Sequence, residues 1–355
     1  MKILSIVGAR PQFIKASQIF KRLSKDVKHV LVHTGQHYDN LLSDIFFKDL
    51  KIPEPEYNLG VGSGSHAFQT SKMMVEIESV VNSERPDLVL VYGDTNSTLA
   101  GALVSSKLRI NTAHLEAGLR SFNRSMPEEI NRLLTDHCSS ILFCPTKVAL
   151  SNLEKEGITK EVYLTGDVMY DALMEYLPLA KTKSKILENL DIETDYILLT
   201  LHRPQNVDDS FTLLNILNSV SASGKDIIWP IHPRSKNTLV KNQLVKKVPS
   251  NIKIIDPVGY IDMLSLEYNS SKIATDSGGV QKEAYILEKP CITLRPDTEW
   301  VETIDDGWNV LVDTDSKKIK EEIINFNPKN KPNIDYGGGQ ASSNVCNLIE
   351  ELLLK

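Results

Sequence analysis

No run of about eighteen apolar residues occurs in this chain, so no membrane-spanning helix is expected. Cysteine is scarce. Cys138, Cys144, Cys291 and Cys346 are the four, and their spacing fits neither a metal site nor a disulfide framework. They read as buried or partly buried thiols of a reducing compartment. Positive charge is not in excess: the formal net charge is −6. That argues against a nucleic-acid partner, and any anionic ligand must be held by a local cluster of donors. The first strand-to-helix turn, Gly8 to Gln12, has one glycine where the dinucleotide fingerprint needs three. No sequence repeat marks the two halves as duplicates. The N-terminus runs from Met1-Lys2 straight into Ile3 to Val7, which reads as a strand rather than a leader, and the expected location is cytoplasmic.

What is present is a long succession of short apolar strands, each followed by a helical pattern. With 355 residues the chain exceeds one ordinary core, and 41% hydrophobic with 24% charged residues places it among globular proteins. Strands are expected at 3–7, 29–33, 87–92, 112–115, 141–144 and 161–164, then at 196–200, 226–231, 252–255, 272–274, 291–294 and 307–312. Helices are expected at 13–23, 39–50, 69–82 and 146–155, another after Pro127, and a closing one at 342–354. Residues 53–66 read as a long loop and residues 181–195 as charged surface. The pattern predicts an α/β chain with two doubly wound, Rossmann-like domains facing across a cleft. The expected boundaries are 1–167 with the closing helix 342–355 for the first domain, and 168–341 for the second.

In open α/β sheets ligands bind at the carboxyl ends of strands. The residues at those ends are therefore the candidates. The first half offers Arg10, Lys15, Asp94, Glu116 and Glu128; the second offers His202, Arg203, Ser277, Gly278, Gly279 and Glu283. Ordinary roles compete with each. Asp94 suits a helix cap, Glu128 and Glu129 suit a positive helix end, and Arg132 sits i+4 from Glu128 as a candidate ion-pair partner. The stretch Ala274 to Ala284 carries the most chemistry. Ser277 at an N-cap and two bare glycines leave backbone N–H groups for a phosphate, with Glu283 farther up the same helix. A tight turn that needs glycine for backbone reasons alone fits the same residues, and both readings stand at this point.

Six ordered motifs then resemble the non-hydrolysing UDP-N-acetylglucosamine 2-epimerases. They are Gly8-Ala9-Arg10-Pro11, Gly93-Asp94-Thr95, His114-Leu115-Glu116-Ala117-Gly118-Leu119-Arg120, Pro127-Glu128-Glu129-Ile130-Asn131-Arg132, Leu201-His202-Arg203 and Asp276-Ser277-Gly278-Gly279-Val280-Gln281. The resemblance implies the glycosyltransferase-B architecture, a cytoplasmic homodimer, no redox cofactor and no metal. It implies that UDP-GlcNAc and UDP-ManNAc interconvert by elimination and re-addition of UDP, for surface-polysaccharide precursors. The roles it implies are acid and base among Asp94, Glu116 and Glu128, with His202 at the diphosphate. Arg10, Lys15 and Arg132 would assist. Arg203 belongs to the His202 motif, Ser277, Gly278 and Gly279 would take the diphosphate, Glu283 the ribose, and Tyr260 would lie where the uracil is cupped.

Three departures bear on the sugar. Gln12 replaces a glutamate of the family pattern, Pro204-Gln205 replaces Arg-Glu, and Trp300-Val301 replaces Arg-Pro. These forms resemble the branch that epimerises UDP-2,3-diacetamido-2,3-dideoxy-glucuronate, which makes that sugar the alternative substrate. Lys72 and Asp39 stand where an arginine and a glutamine would hold a second, activating substrate molecule, so that regulation is not expected. A glycosyltransferase of the same architecture is the further alternative; it would need one base, not three carboxylates. A silent nucleotide-sugar sensor would not need Asp94, Glu116, Glu128 and His202 together.

Overall fold

The computed structural model describes residues 1–36, 52–192 and 195–353. The helix expected at 39–50, and Asp39 with it, lie outside the described residues. The chain divides into two compact units, Met1–Glu175 with Asp335–Lys355, and Tyr176–Ile334. The division falls inside a helix, Val168–Lys183, whose first residue is the domain start read from the sequence.

The first unit holds a seven-stranded parallel sheet in the order β3-β2-β1-β4-β5-β6-β7. Its strands are β1 (Lys2–Val7), β2 (Lys28–His33), β3 (Tyr57–Asn58), β4 (Leu88–Tyr92), β5 (Asn111–Leu115), β6 (Ile141–Cys144) and β7 (Val162–Leu164). The central strands read as unbroken apolar runs because helices cover both faces of a parallel sheet. Leu4, Ile6, Val89 and Val91 pack with Met73, Ile77, Ala100 and Val104 in one buried cluster. Full burial of such a side chain stabilises by about 1.5–3 kcal/mol. Gly101 lets its helix approach: a Cβ there would lie 2.7 Å from Ile6 Cδ1 and 2.9 Å from Val91 Cγ1. The last helix, Ala341–Leu353, belongs to this unit, and Glu350 accepts from the Ser24 backbone N–H at 3.0 Å.

The second unit holds a six-stranded parallel sheet in the order β10-β9-β8-β11-β12-β13. Its strands are β8 (Ile197–Thr200), β9 (Ile227–Pro230), β10 (Ile252–Ile255), β11 (Lys272–Thr275), β12 (Cys291–Thr293) and β13 (Asn309–Leu311). Its larger core gathers Ile197, Leu199, Trp229, Ala274 and Ile292 with Leu213, Ile216, Leu217 and Ile319 from the covering helices. The Lys272 ammonium is buried and donates to Ile323 O and Ile324 O at 3.0 and 3.1 Å, closing the end of the helix Ser316–Asn325.

One expectation fails locally. The stretch 53–66 is not all loop: Tyr57 and Asn58 pair with Val32 and His33 as an edge strand. Residues 168–183 form a sixteen-residue helix that tolerates Pro178, and a short helix, Ile186–Leu190, follows. Among the described residues no helix is long and apolar enough to cross a membrane. All four cysteines are free; three are buried and Cys138 is half-buried.

Candidate active site

Each sheet reverses its strand order once, between β1 and β4 in the first unit and between β8 and β11 in the second. Such switch points leave a crevice at the strands' carboxyl ends. The predicted site residues gather at these two places.

In the first unit β1 leads into the helix Arg10–Arg22, which starts with Arg10 and Pro11. Proline suits that first turn because its missing N–H would be unpaired there anyway. Lys15 is buried on this helix and forms an ion pair with Glu116. Glu116 leaves the end of β5 with φ +78°, in the left-handed region. A bulky non-glycine residue adopts that conformation only where its surroundings fix it. Gly93 N donates to Leu115 O at 2.9 Å, so Asp94 and Glu116 leave adjoining strand ends.

Asp94 is not spent on a helix cap. The cap of the helix Asn96–Lys107 is Thr95, in a reciprocal box with Thr98. Asp94 Oδ2 instead accepts from Arg132 Nε at 3.0 Å, and its backbone carbonyl accepts from Asn131 Nδ2 at 2.9 Å. Both donors lie on the helix Pro127–Cys138. Glu128 is half-buried on its first turn, one turn before Arg132 and on the same face. Glu129 has a different task. It is buried, accepts from Ser121 N and Phe122 N at 2.9 and 3.0 Å, and pairs with Arg132 Nη1 at 2.6 Å. It pins the loop that precedes its own helix. Arg132 thus pairs with Glu129 at i+3 and with Asp94 on the neighbouring turn.

Gln12 was read from the sequence only as a departure from a pattern. It is buried and fully bonded. Its Oε1 accepts from Gly8 N and Ala9 N at 2.7 and 3.0 Å. Its Nε2 donates to Tyr92 O, Thr98 Oγ1 and Thr95 Oγ1 at 2.6, 2.9 and 3.0 Å. It ties the first turn to the turn that carries Asp94.

In the second unit the organising residue is Asp276, at the end of β11. It is fully buried and accepts from His202 N, Arg203 N and Asn206 Nδ2 at 2.9 to 3.1 Å. Its Oδ1 also meets His202 Nδ1 at 2.9 Å. Burial opposes its charge, but His202 and the two backbone N–H groups outweigh that and hold its pKa below the usual value. With Nδ1 committed to Asp276, Nε2 is the His202 nitrogen left to face a ligand, and the side chain is 38% exposed. Arg203 Nε donates to Asp276 O at 2.9 Å, so the first and fourth strands of this sheet are tied at their ends.

The turn that follows Asp276 starts the helix Gly278–Ile286. Ser277 is the N-cap, as expected, but its hydroxyl makes no capping bond, so the first-turn N–H groups are left to other acceptors. The two glycines differ. A Cβ on Gly278 would overlap Glu299 Oε1, so this position is closed by packing. A Cβ on Gly279 would meet only Ser277 Oγ, at 4.0 Å, and this side is open. The helix dipole and open N–H groups suit an anion.

Glu283 lies farther along the same helix and is nearly buried. Burial first, and the Glu283 carboxylate second, push the Glu267 pKa well above the usual carboxylate range. Beside Glu283, the buried Glu267 carboxyl therefore favours its neutral form. Tyr260 is buried behind the pair, its hydroxyl pushed well up by burial and by Glu283, and its ring meets Tyr176 edge-on at 5.9 Å. Among the described residues no group of three metal-ligating side chains comes together.

Asp276, Asn206, Gln12 and Glu267 were not singled out as site residues from the sequence. Asp276 sits inside a motif quoted above and Gln12 directly follows one, but only the fold shows what they bind.

Comparison with known proteins gives one family. The profile described as UDP-N-acetylglucosamine 2-epimerase matches residues 21–350. A UDP-N-acetylglucosamine 2-epimerase homolog of Methanococcus maripaludis is 53% identical, covering 99% of this chain and 100% of the relative. The UDP-2,3-diacetamido-2,3-dideoxy-D-glucuronate 2-epimerase of Pseudomonas aeruginosa is 46% identical over 99% of this chain and 100% of the relative. Among solved structures, Methanocaldococcus jannaschii UDP-GlcNAc 2-epimerase in complex with UDP-GlcNAc and UDP superposes with a TM-score of 0.92. It is 45% identical and covers 99% of this chain and 100% of that one.

Proposed function

This chain belongs to the UDP-N-acetylglucosamine 2-epimerase family, and from that premise we propose that it interconverts UDP-GlcNAc and UDP-ManNAc without hydrolysis. The observation that carries the reading is the first switch point. Asp94 and Glu116 leave adjoining strand ends, each paired with a buried cation, Arg132 or Lys15. Inversion at carbon 2 needs a proton removed from one face and returned on the other, so it needs two groups, or one group and a water. A base takes the carbon 2 proton, the carbon 1–oxygen bond to UDP breaks, and a carbon 1–carbon 2 double bond forms. UDP then re-adds at carbon 1 as an acid delivers a proton to the opposite face of carbon 2. Acid and base are drawn from Asp94, Glu116 and Glu128. The leaving diphosphate goes to the Ser277 hydroxyl and the N–H groups of Gly278 and Gly279, with His202 as its charged partner. Arg10 assists at the diphosphate, Arg203 braces the His202 turn, Glu283 takes the ribose hydroxyls and Tyr260 lies at the nucleoside end.

Incubation with UDP-GlcNAc in deuterated water tests this. Deuterium at carbon 2 together with inverted product is expected. Free sugar and UDP accumulating would mean hydrolysis, and no exchange with any UDP-HexNAc would sink the reading. A second reading has a specific motive. The Pseudomonas aeruginosa relative acts, by its name, on a diacetamido glucuronate, and Trp300-Val301 departs from the pattern of the GlcNAc enzymes. A panel of both UDP-sugars separates the two by their kcat/KM. We further propose a homodimer in a reducing compartment. The free, mostly buried thiols support the compartment, and sedimentation tests the dimer.

A further inference from the structure

We propose that the buried His114–Asp136 pair, with a proton on each nitrogen of the ring, positions the turns bearing Asp94 and Glu116; this rests on the proton-transfer roles proposed for those two carboxylates. His114 lies on β5 between Val91 of β4 and Leu142 of β6, and its side chain is fully buried. Its Nε2 is 2.7 Å from Gly93 O. A carbonyl oxygen only accepts, so Nε2 carries a proton. Its Nδ1 is 2.6 Å from Asp136 Oδ1.

Asp136 is ionised. Its Oδ2 accepts from Gly118 N at 3.1 Å and pairs with Arg120 Nη1 at 2.7 Å. Burial opposes the charge, yet His114 and Arg120 together hold its pKa below the usual value. An ionised carboxylate also only accepts, so Nδ1 carries a proton too. With acceptors on both sides, the ring has no neutral form that satisfies its partners.

The charges around it balance. Arg120 is bound to Glu156 through two bonds, of 2.8 and 2.7 Å. The Cys144 thiol, on β6, is pushed up to about 12 by burial and then by Asp136. Beyond Gly93 lie the Lys15–Glu116 and Arg132–Asp94 pairs. Two cations and two carboxylates thus close the inner network, and nothing in it asks the imidazolium to give up its proton.

The consequence is positional. Gly93 immediately precedes Asp94, and Glu116 follows His114 by two residues. Asp136 holds the Gly118 turn and lies on the helix that brings Arg132 to Asp94. One charged ring therefore sets the spacing of two adjoining strand ends and that helix. The three segments come from distant parts of the chain and share no covalent constraint.

The test starts with the wild-type protein and needs no substrate. Nitrogen-15 NMR reads the protonation of each histidine ring, and the signal lost in His114→Gln identifies His114 among the eight histidines. Both ring nitrogens are expected to carry a proton, since each faces an acceptor. A ring with one bare nitrogen overturns the assignment.

Asp136→Asn removes the counter-charge. Turnover should then fall on the order of a hundredfold with KM little changed. Wild-type turnover in that variant would overturn the positioning role. If it fails to fold, His114→Gln, whose amide presents N–H donors on one side only, carries the same kcat-against-KM test. Absence of epimerisation with a doubly protonated His114 would sink the functional reading and leave the charge assignment standing.

Discussion

The sheet of the first unit runs β3-β2-β1-β4-β5-β6-β7 and that of the second β10-β9-β8-β11-β12-β13, so each opens one crevice, at β1/β4 and at β8/β11. Both crevices contain a histidine bonded to a buried aspartate, but the two pairs are used differently. In the first, His114 is fully buried with both nitrogens committed, to Gly93 O and Asp136. In the second, His202 gives only Nδ1 to Asp276 and keeps a partly exposed ring. The first pair holds other residues in place. The second presents itself. What stands around them differs as well: ion-paired carboxylates in one crevice, bare glycines and backbone donors in the other. Under the proposed function, one topology serves proton transfer at one place and anion binding at the other, because strand order fixes where a site lies, not what it contains.

The largest effect should come from the first crevice. Asp94→Asn or Glu116→Gln should lower carbon 2 exchange by on the order of a thousandfold, the loss of a positioned acid or base. Full exchange in both variants would remove the assignment. In the second crevice Asp276→Asn should lower kcat/KM by on the order of a hundredfold, because His202 and the turn lose their common anchor. It should also change stability with acid. A carboxylate whose folded pKa lies below its usual value, 3.8 here, adds stability above that value and loses it as pH falls through the folded pKa. The variant should lack that part of the wild-type acid limb, measurable by thermal unfolding from neutral pH downward.

The two glycines give a smaller and sharper contrast. Gly278→Ala forces Glu299 to move and should destabilise by about 1–3 kcal/mol. Gly279→Ala meets open space and should leave stability within about 0.5 kcal/mol while weakening UDP, if the open side is the phosphate side. Equal stabilities for the two would contradict the packing described. The smallest effect is at Glu267. It is protonated when folded and ionised when unfolded above its usual 4.5, so it lowers stability as pH rises from there toward its raised folded pKa. Glu267→Gln should flatten that slope, and a wild-type melting temperature that does not fall over this range would count against the buried pair.

Much of this was legible in the sequence. The central strands announced themselves as apolar runs, and Arg10, Asp94, Glu116, His202 and Ser277 were read from their places at strand ends. What escaped detection depended on partners far along the chain. Asp276 binds His202 and Arg203 across 74 and 73 positions, and Gln12 binds Tyr92 O across 80. An Asp before Ser-Gly-Gly looks like turn polarity until the turn is seen to be buried. The edge strand Tyr57–Asn58 is too short to show alternation, and Pro178 hid the helix Val168–Lys183, since a proline inside a helical pattern signals its end. Asp94 resembled a cap because the true cap, Thr95, is its neighbour.

The separation of tasks between the crevices is tested most directly by the affinity of Glu116→Gln for UDP, measured by titration calorimetry. Binding within about threefold of wild type is expected, since the substitution removes a proton-transfer group and meets, of the residues proposed to assist UDP, only Lys15. Loss of UDP binding in that variant would contradict the account.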